Sequence, residues 1–461
     1  MLAGIAATAW GGLAFATDLL PPRLRYGYVH RATGAVWGGE LPRVTAAGSA
    51  QVVAAEVFPG GDGMPTPTAT CVLAADRLDV GGIGTVIEML AGGLAAHGVR
   101  PVVVCHGDGA RAARLRAAGV EVHSVADEAS AMNAIRAASA DVIQSHSAPP
   151  FLEQAARRSG VPLIPVMHNT EIHYTPARWA AFRALMAGSV MGIAVSATVR
   201  DFHIRQIGGD TPIVVVPNGA PRAPLPSGTE RTVARSAVSR AIGVDLGADI
   251  VFACLARYDA QKNFAGLVAA FGDTIATSPH PMRLICAGEP SDRVEWRRSD
   301  AVRRAGPAAE RIHLIGNSDA RTLLTAVDAF VLDSFFEGWP VAATEAAAFG
   351  LPLLLSDVGG ARELVQRDAG RSVLIPNASG DASRVSDRRV RAARRRSRRQ
   401  PNAAALHDAA HAITATVVRE RAEGRPPAGG DAERSGVDAM LSRHADLIAS
   451  AAAASRRRPL S

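Results

Sequence analysis

One lysine stands among 49 arginines in this chain of 461 residues: Lys262, in the stretch CLARYDAQKNFAG at residues 254–266. Arg257 precedes it by five positions on what reads as one loop. Two cations so placed can hold two negative oxygens of the kind a diphosphate presents. Arginine offers a planar fork, whereas lysine offers a compact point charge that follows a phosphate as charge builds on it. A surface cation is served by arginine everywhere else, so the retained lysine marks a site. A second constellation lies in DSFFEGWPVAATEAAAFGLPLLLSDVGGAREL, residues 333–364. Glu337 falls in the loop after the apolar run AFVLD, and Glu345 lies eight positions on, in a helix expected to end at Gly350. The helix start between them, at Gly338, Trp339 and Pro340, favours a phosphate through its free N–H groups and its dipole. One carboxylate can accept hydrogen bonds from sugar hydroxyls, and the other can grip a vicinal ribose diol. Read alone, the same two glutamates are equally helix-start carboxylates steadied by the dipole.

Two further loops carry weaker signals. RLDVGGIGTVIEMLAGGLAAHG, residues 77–98, follows an apolar run and brings Gly81, Gly82 and Gly84 to the start of a helix placed near Thr85. Its spacing is not the dinucleotide fingerprint, and a tight strand-to-helix turn explains it as well as a phosphate cradle does. His168, in PVMHNTEIHY at residues 165–174, closes an apolar run, where its side chain is expected to point into a cleft; His146 and His173 compete for that role.

These loops need a scaffold, and the hydrophobic pattern supplies one. From residue 70 onward, apolar runs of four to six residues alternate with helix-length amphipathic segments. CVLAA, PVVVC, DVIQS, PLIPVM, MGIAVS and PIVVVP occupy the first half, and DIVFACLA, MRLICAG, RIHLIG, AFVLD and LPLLLSD the second. Runs that are apolar throughout, rather than alternating, belong to strands covered on both faces, hence to parallel sheets flanked by helices. The expectation is two doubly wound α/β domains, broken at the Pro- and Gly-rich NGAPRAPLPSGTERT, residues 218–232. Ligands of such sheets lie beyond the carboxyl ends of the strands, where all four loops fall. The expected division is an N-terminal extension of unassigned role at 1–68, a first α/β domain at 69–222 and a linker with an entry helix at 223–246. A second α/β domain follows at 247–380, then an Arg-rich flexible insertion at 381–435 and a closing helix with a tail at 436–461.

Composition excludes several classes. A hydrophobic share of 48% describes a globular chain. Residues 381–399 contain nine arginines and two aspartates and by themselves account for the net charge of +7. The balanced remainder speaks against a nucleic-acid-binding body. The four cysteines sit in apolar runs without metal-ligand spacing, which reads as buried strand positions in a reducing, cytoplasmic setting. The first 17 residues are apolar but lack a basic leader, and no later run approaches a membrane span.

Taken together, the Glu-x7-Glu element, ARYDAQKN, VVPNGA and DVGGIGTVIEMLAGGLAAHG resemble the family 4 retaining glycosyltransferases over about residues 70–380. The resemblance implies a GT-B architecture, the second domain holding a nucleoside-diphosphate-sugar and the first an acceptor hydroxyl. It implies that Arg257 and Lys262 bind the diphosphate, Glu337 touches the transferred sugar and Glu345 the ribose. Gly82 would lie against the phosphates, His168 beside the reacting carbon, and Gly338, Trp339 and Pro340 would complete the donor site. No cofactor and no metal are implied, and no Asp-x-Asp motif is placed to hold one. A UDP- or GDP-sugar is expected ahead of an ADP-sugar, with an unidentified acceptor such as a lipid-linked or cell-wall glycan precursor. The arginines of the insertion are read either as a solvated loop or as a tether to an anionic membrane surface at its cytoplasmic face. A nucleotide-sugar epimerase or hydrolase on the same fold, and a non-catalytic protein binding RNA or anionic lipid through the arginines, remain the rival readings.

Overall fold

The computed structural model describes residues 2–25, 40–46, 66–78, 81–220, 224–367, 370–424 and 436–456. The chain forms two units. One takes in the described residues of Gln51–Thr170, Thr175–Pro221 and Ser435–Ser461, and the other those of Met1–Ala50, Glu171–Tyr174 and Arg222–Arg434.

In the first of these units seven strands form a wholly parallel sheet: β1 (Ala69–Ala75), β2 (Val99–His106), β3 (Glu121–Val125), β4 (Val142–His146), β5 (Leu163–Met167), β6 (Gly192–Ala194) and β7 (Ile213–Val215). Their order is β3-β2-β1-β4-β5-β6-β7, so the chain reverses direction across the sheet between β1 and β4. The continuous apolar runs explain this arrangement, because β4 and β5 are buried at every position. Local signals place the helices between strands; Asp127 and Ser130 form a capping box at the start of helix Glu128–Ala137. The closing helix Val437–Arg456 packs Met440, Leu441 and Ile448 into the core of this unit, against Leu90 and Leu94. Gly219 admits it, since a Cβ there would lie 2.4 Å from the Val437 Cα.

The second sheet comprises β8 (Ile250–Leu255), β9 (Met282–Ala287), β10 (Ile312–Ile315), β11 (Ala329–Leu332), β12 (Leu353–Ser356) and β13 (Val373–Ile375), again all parallel. Its order is β10-β9-β8-β11-β12-β13, and its reversal falls between β8 and β11. Helix Gly228–Ile242 enters this unit through a capping box of Ser227 and Glu230. The four cysteines occupy β1, β2, β8 and β9 and are free and buried, as their apolar surroundings require.

Two segments differ from the sequence reading. Of the N-terminal extension, the described residues 2–25 and 40–46 belong to the second sheet's unit: helix Leu2–Thr17 lies against helix Arg293–Ala305. Farther on, the Gly316 N–H donates to the Pro42 carbonyl at 2.7 Å beyond the end of β10. The Arg-rich segment, expected to be flexible, instead folds over 387–422. It forms helix Asp387–Arg395, a turn at Ser397–Arg399 and helix Ala403–Ala422, which packs against helix Phe264–Thr277. Residues 425–435 lie outside the described residues. The reason for the difference is charge pairing at long range. Arg394, only 2% exposed, pairs with Asp18 and Glu295, and Arg25 pairs with Asp387. A run of arginines reads as a solvated face until partners some 376 positions away in sequence are brought beside it.

Candidate active site

Both reversals of strand order create a crevice at the carboxyl ends of the strands, because the loops leaving the two central strands diverge there. In the second sheet those loops follow β8 and β11. They carry Arg257 with Lys262, and Glu337, respectively.

The β8 loop is anchored by Tyr258. This residue is fully buried, and its hydroxyl donates toward the carbonyls of Cys286, at 2.6 Å, and Ile315, at 3.0 Å. Gly288 lets the loop pass, because a Cβ there would come within 1.8 Å of the Ala256 carbonyl oxygen. The loop turns back at Asn263, whose φ of 50° is the left-handed region that asparagine tolerates better than most residues. Two residues stitch this loop to the one after β11. Gln261 donates through its side-chain amide to the Phe336 carbonyl at 2.8 Å and to Glu337 Oε2 at 3.2 Å. Lys262 Nζ donates to Glu337 Oε1 at 2.5 Å, the two side chains being 15% and 6% exposed. Arg257 stands at the edge of the same loop, 47% exposed, with Asp259 at 3.3 Å.

Beyond Glu337 the chain is held by close backbone approach. The Gly360 N–H donates to the Gly338 carbonyl at 2.9 Å, and a Cβ on Gly360 would meet the Trp339 ring at 2.0 Å. Trp339 is 5% exposed and donates to Thr344 at 2.8 Å, so its indole braces the loop from within. Pro340 immediately precedes helix Val341–Ala348, which bears Glu345 part-exposed and ends ahead of Gly350 at φ 73°. The structure thus places Arg257, Lys262, Glu337, Gly338, Trp339, Pro340 and Glu345 in one unit, with Lys262 and Glu337 in direct contact.

A buried carboxylate under this site escapes sequence reasoning altogether. Asp333, fully buried just past β11, accepts from the side-chain amides of Asn263 and Gln400 at 2.9 Å and of Asn402 at 2.8 Å. Burial pushes its carboxyl up to about 7, against the pull of those three donors. Asp333 thereby joins the left-handed turn at Asn263, next to Lys262, to the segment that follows the Arg-rich helix. No motif connects positions 263, 333, 400 and 402; only the polarity of an aspartate at the end of an apolar strand hints at a partner.

In the other unit, Gly82 and His168 also lie at strand ends. Helix Gly82–Gly93 begins three residues earlier than the sequence reading, because Gly81 takes a φ of 145° open to glycine. Asp79 and Val80 lie outside the described residues. His168 follows β5 but is 8% exposed rather than open, and its Nε2 is 2.9 Å from Nδ1 of His146 at the end of β4. The supposed competitor is therefore its partner. A third histidine, His444 of the closing helix, bonds Gln144 of β4 at 3.1 Å. Burial holds His168 down to about 3, with the His444 charge adding to the effect, and burial likewise holds His444 down to about 4 and His146 well below its ordinary range. At neutral pH the group is uncharged, so one N–H is shared between His146 and His168. His173, 37% exposed at its side chain, is drawn instead to Glu171 at 3.4 Å.

Comparison with known proteins agrees with this fold. Residues 80–223 match the family model described as Glycosyltransferase Family 4, and residues 249–388 match that described as Glycosyl transferases group 1. Alpha-maltose-1-phosphate synthase of Mycolicibacterium smegmatis is 30% identical over 42% of this chain and 50% of its own, so the chain spans about half the length of that curated relative. Among solved structures, a glycosyltransferase from Rickettsia africae superposes with a TM-score of 0.61 at 14% identity, over 83% of this chain and 99% of that one. HepE of Anabaena, in complex with UDP and glucose, does so with a TM-score of 0.57 at 15% identity, over 83% and 100%. Each of the two parallel-sheet α/β units thus carries a match to a glycosyltransferase family model, and the chain has the GT-B fold.

Proposed function

We propose that this protein moves a glycosyl group from a nucleoside-diphosphate-sugar to an acceptor hydroxyl, retaining the anomeric configuration and using no metal. The observation that carries the reading is the Lys262–Glu337 pair at the point where the second sheet reverses, with Arg257 on the same loop. A nucleotide-sugar donor is further supported by HepE, a protein of the same fold whose complex holds UDP and glucose.

The chemistry follows from the charges. As the bond from the sugar's anomeric carbon to the diphosphate breaks, its electron pair stays on the departing oxygen. Preorganised cations aimed at that oxygen lower the barrier more than cations that must first be recruited from water. Lys262 supplies such a charge, and its pairing with Glu337 keeps the ammonium oriented before the donor arrives. The arriving diphosphate shares Lys262, which frees Glu337 to accept hydrogen bonds from the sugar. Arg257, the more exposed of the two cations, grips the outer phosphate oxygens. The acceptor's oxygen bonds to the anomeric carbon, and its proton passes to the leaving diphosphate. Glu345 takes the ribose hydroxyls. Gly338, Trp339 and Pro340 shape the donor loop.

The test is turnover of UDP-, GDP- and ADP-sugars by the intact chain, followed through released nucleoside diphosphate and proton NMR of the product. Release from one donor, persisting with a chelator and giving a product of the donor's own configuration, is the expected result. An epimerised or merely hydrolysed sugar, an inverted product or loss of activity on chelation would overturn the corresponding part of the proposal.

A further inference from the structure

Helix Leu2–Thr17 contains no charged residue. One side buries Ala7 and Ala14, yet the opposite side is apolar as well: Leu2 is 84% exposed, Ile5 60% and Phe15 46%, with exposed Ala9 and Gly12 continuing the stripe at helical spacing. Leu19, at 72%, and Leu24, at 44%, extend it beyond the helix. Five of the eight exposed large apolar side chains among the described residues thus fall within the first 24 positions. A surface helix ordinarily turns polar groups outward, so this face is made to be covered.

The neighbouring element shows by what. Helix Asp387–Arg395 reaches the same place, with the Arg395 guanidinium 4.4 Å from the centre of the Phe15 ring. Arg394 locks the two segments together through Asp18. Arg388, Arg389, Arg395, Arg396, Arg398 and Arg399 all face solvent, and none has an ion-pair partner among the described residues. Like charges gathered without partners repel one another and are favourable only where anions meet them.

We propose that the outer face of helix Leu2–Thr17 and the arginines of residues 388–399 form one docking surface for an anionic lipid bilayer. A bilayer surface offers both complements at once: headgroup phosphates, which guanidinium groups bind in pairs of hydrogen bonds, and an acyl boundary a few ångströms deeper that takes up the leucines, isoleucine and phenylalanine. Nucleic acid offers the phosphates but no apolar layer for Leu2, Ile5 and Leu19. The helix lies in the interface rather than crossing it, since no helix among the described residues is long and apolar enough to span. The surface involves none of the residues assigned to transfer, so it stands or falls apart from that assignment.

The test is co-sedimentation of the full chain with vesicles of phosphatidylcholine alone and of equal parts phosphatidylcholine and phosphatidylglycerol, with a single-stranded RNA as the competing probe. Binding to the anionic vesicles, weakened by salt and absent from the neutral ones, is expected. Ile5→Ser with Leu19→Ser, both at exposed positions, should lower partitioning at least about tenfold. Arg388→Gln, Arg389→Gln and Arg396→Gln together should lower it about a hundredfold, at roughly fivefold per charge. Circular dichroism confirms that both variants remain folded. Equal binding to neutral vesicles, no vesicle binding, RNA binding indifferent to the Ile5 and Leu19 substitutions, or vesicle binding unchanged in either variant would each overturn the proposal.

Discussion

Replacing Lys262 by methionine keeps most of the side chain's volume and removes only the ammonium. Glu337, with its side chain 6% exposed, then loses a partner at 2.5 Å and retains Gln261 at 3.2 Å. Breaking a buried ion pair from one side costs about 3–5 kcal/mol, because the surviving charge is stranded. The remaining amide donor puts the expected loss at the lower end, near 3 kcal/mol. Glu337→Gln in the same chain removes the stranded charge, so the double variant should recover most of that stability. Turnover should behave differently. An electrostatic donor aimed at a developing anion is worth about 10²–10³ in kcat, or about 3–4 kcal/mol of barrier, and no substitution at Glu337 restores it. Urea unfolding reads the first quantity and nucleoside diphosphate release the second. The signature is therefore a double variant that is stable and inactive. A folded Lys262→Met chain, or the double variant, turning over within tenfold of the unaltered protein would refute the role given to Lys262. Lys262→Arg belongs to the same test: the longer planar fork cannot occupy the ammonium's place against Glu337, and activity should fall at least about tenfold.

Other perturbations follow from the same geometry. The buried histidines His168, His203 and His444 are held down to about 3, 4 and 4, so the unfolded chain binds more protons than the folded one below pH 6.5. Stability should be fully present above that pH and fall as pH drops, by about 2 kcal/mol per histidine between pH 6.5 and 5, which thermal melts across that range would show. Asp333 acts in the opposite sense: with its carboxyl raised to about 7, its contribution declines as pH rises from about 4 to 7 and is flat above. Asp333→Ala takes one acceptor from each of the buried amides of Asn263, Gln400 and Asn402; Asn263 keeps Gln400 Oε1 and Asn402 keeps the Pro376 carbonyl, so the cost is about 1–3 kcal/mol, chiefly from Gln400. Hydrogen exchange at residues 261–264 and 400–403 should speed up together in that variant. Gly288→Ala sets a Cβ 1.8 Å from a backbone oxygen that no rotamer change can move, and should cost at least about 3 kcal/mol in urea unfolding. Arg394→Ala leaves Asp18 with the longer contact to Arg25 at 3.8 Å and Glu295 with Arg298 at 3.7 Å, and should cost about 3 kcal/mol, loosening helix Leu2–Thr17 before the sheets.

What could be read from the residues alone depends on the range of the interactions. Apolar runs such as PVVVC and DIVFACLA are local, and a strand buried on both faces must be apolar throughout, so two parallel sheets could be read directly from the pattern. The alternation of strand and helix then confined the chemistry to loops at the carboxyl ends, and Lys262, Arg257 and Glu337 do lie on the two loops at the reversal of the second sheet. Lys262 was conspicuous because it is the sole lysine, but its contact with a glutamate 75 positions away was not. Helix Gly82–Gly93 showed the limit even of local reading, beginning earlier than its residue types implied because Gly81 adopts a φ closed to most side chains. Everything that depended on distant pairing was left to the tertiary structure. His146 and His168 looked like rivals until adjacent strands β4 and β5 set their rings 2.9 Å apart. Asp333 gathers amides from Asn263 and from Gln400 and Asn402, and Arg394 finds its carboxylates at positions as far apart as 18 and 295. A hydrophobic period is written in neighbouring residues and survives in the sequence, whereas a buried charge or amide is satisfied only by what folding brings to it, and composition carries no trace of that partner.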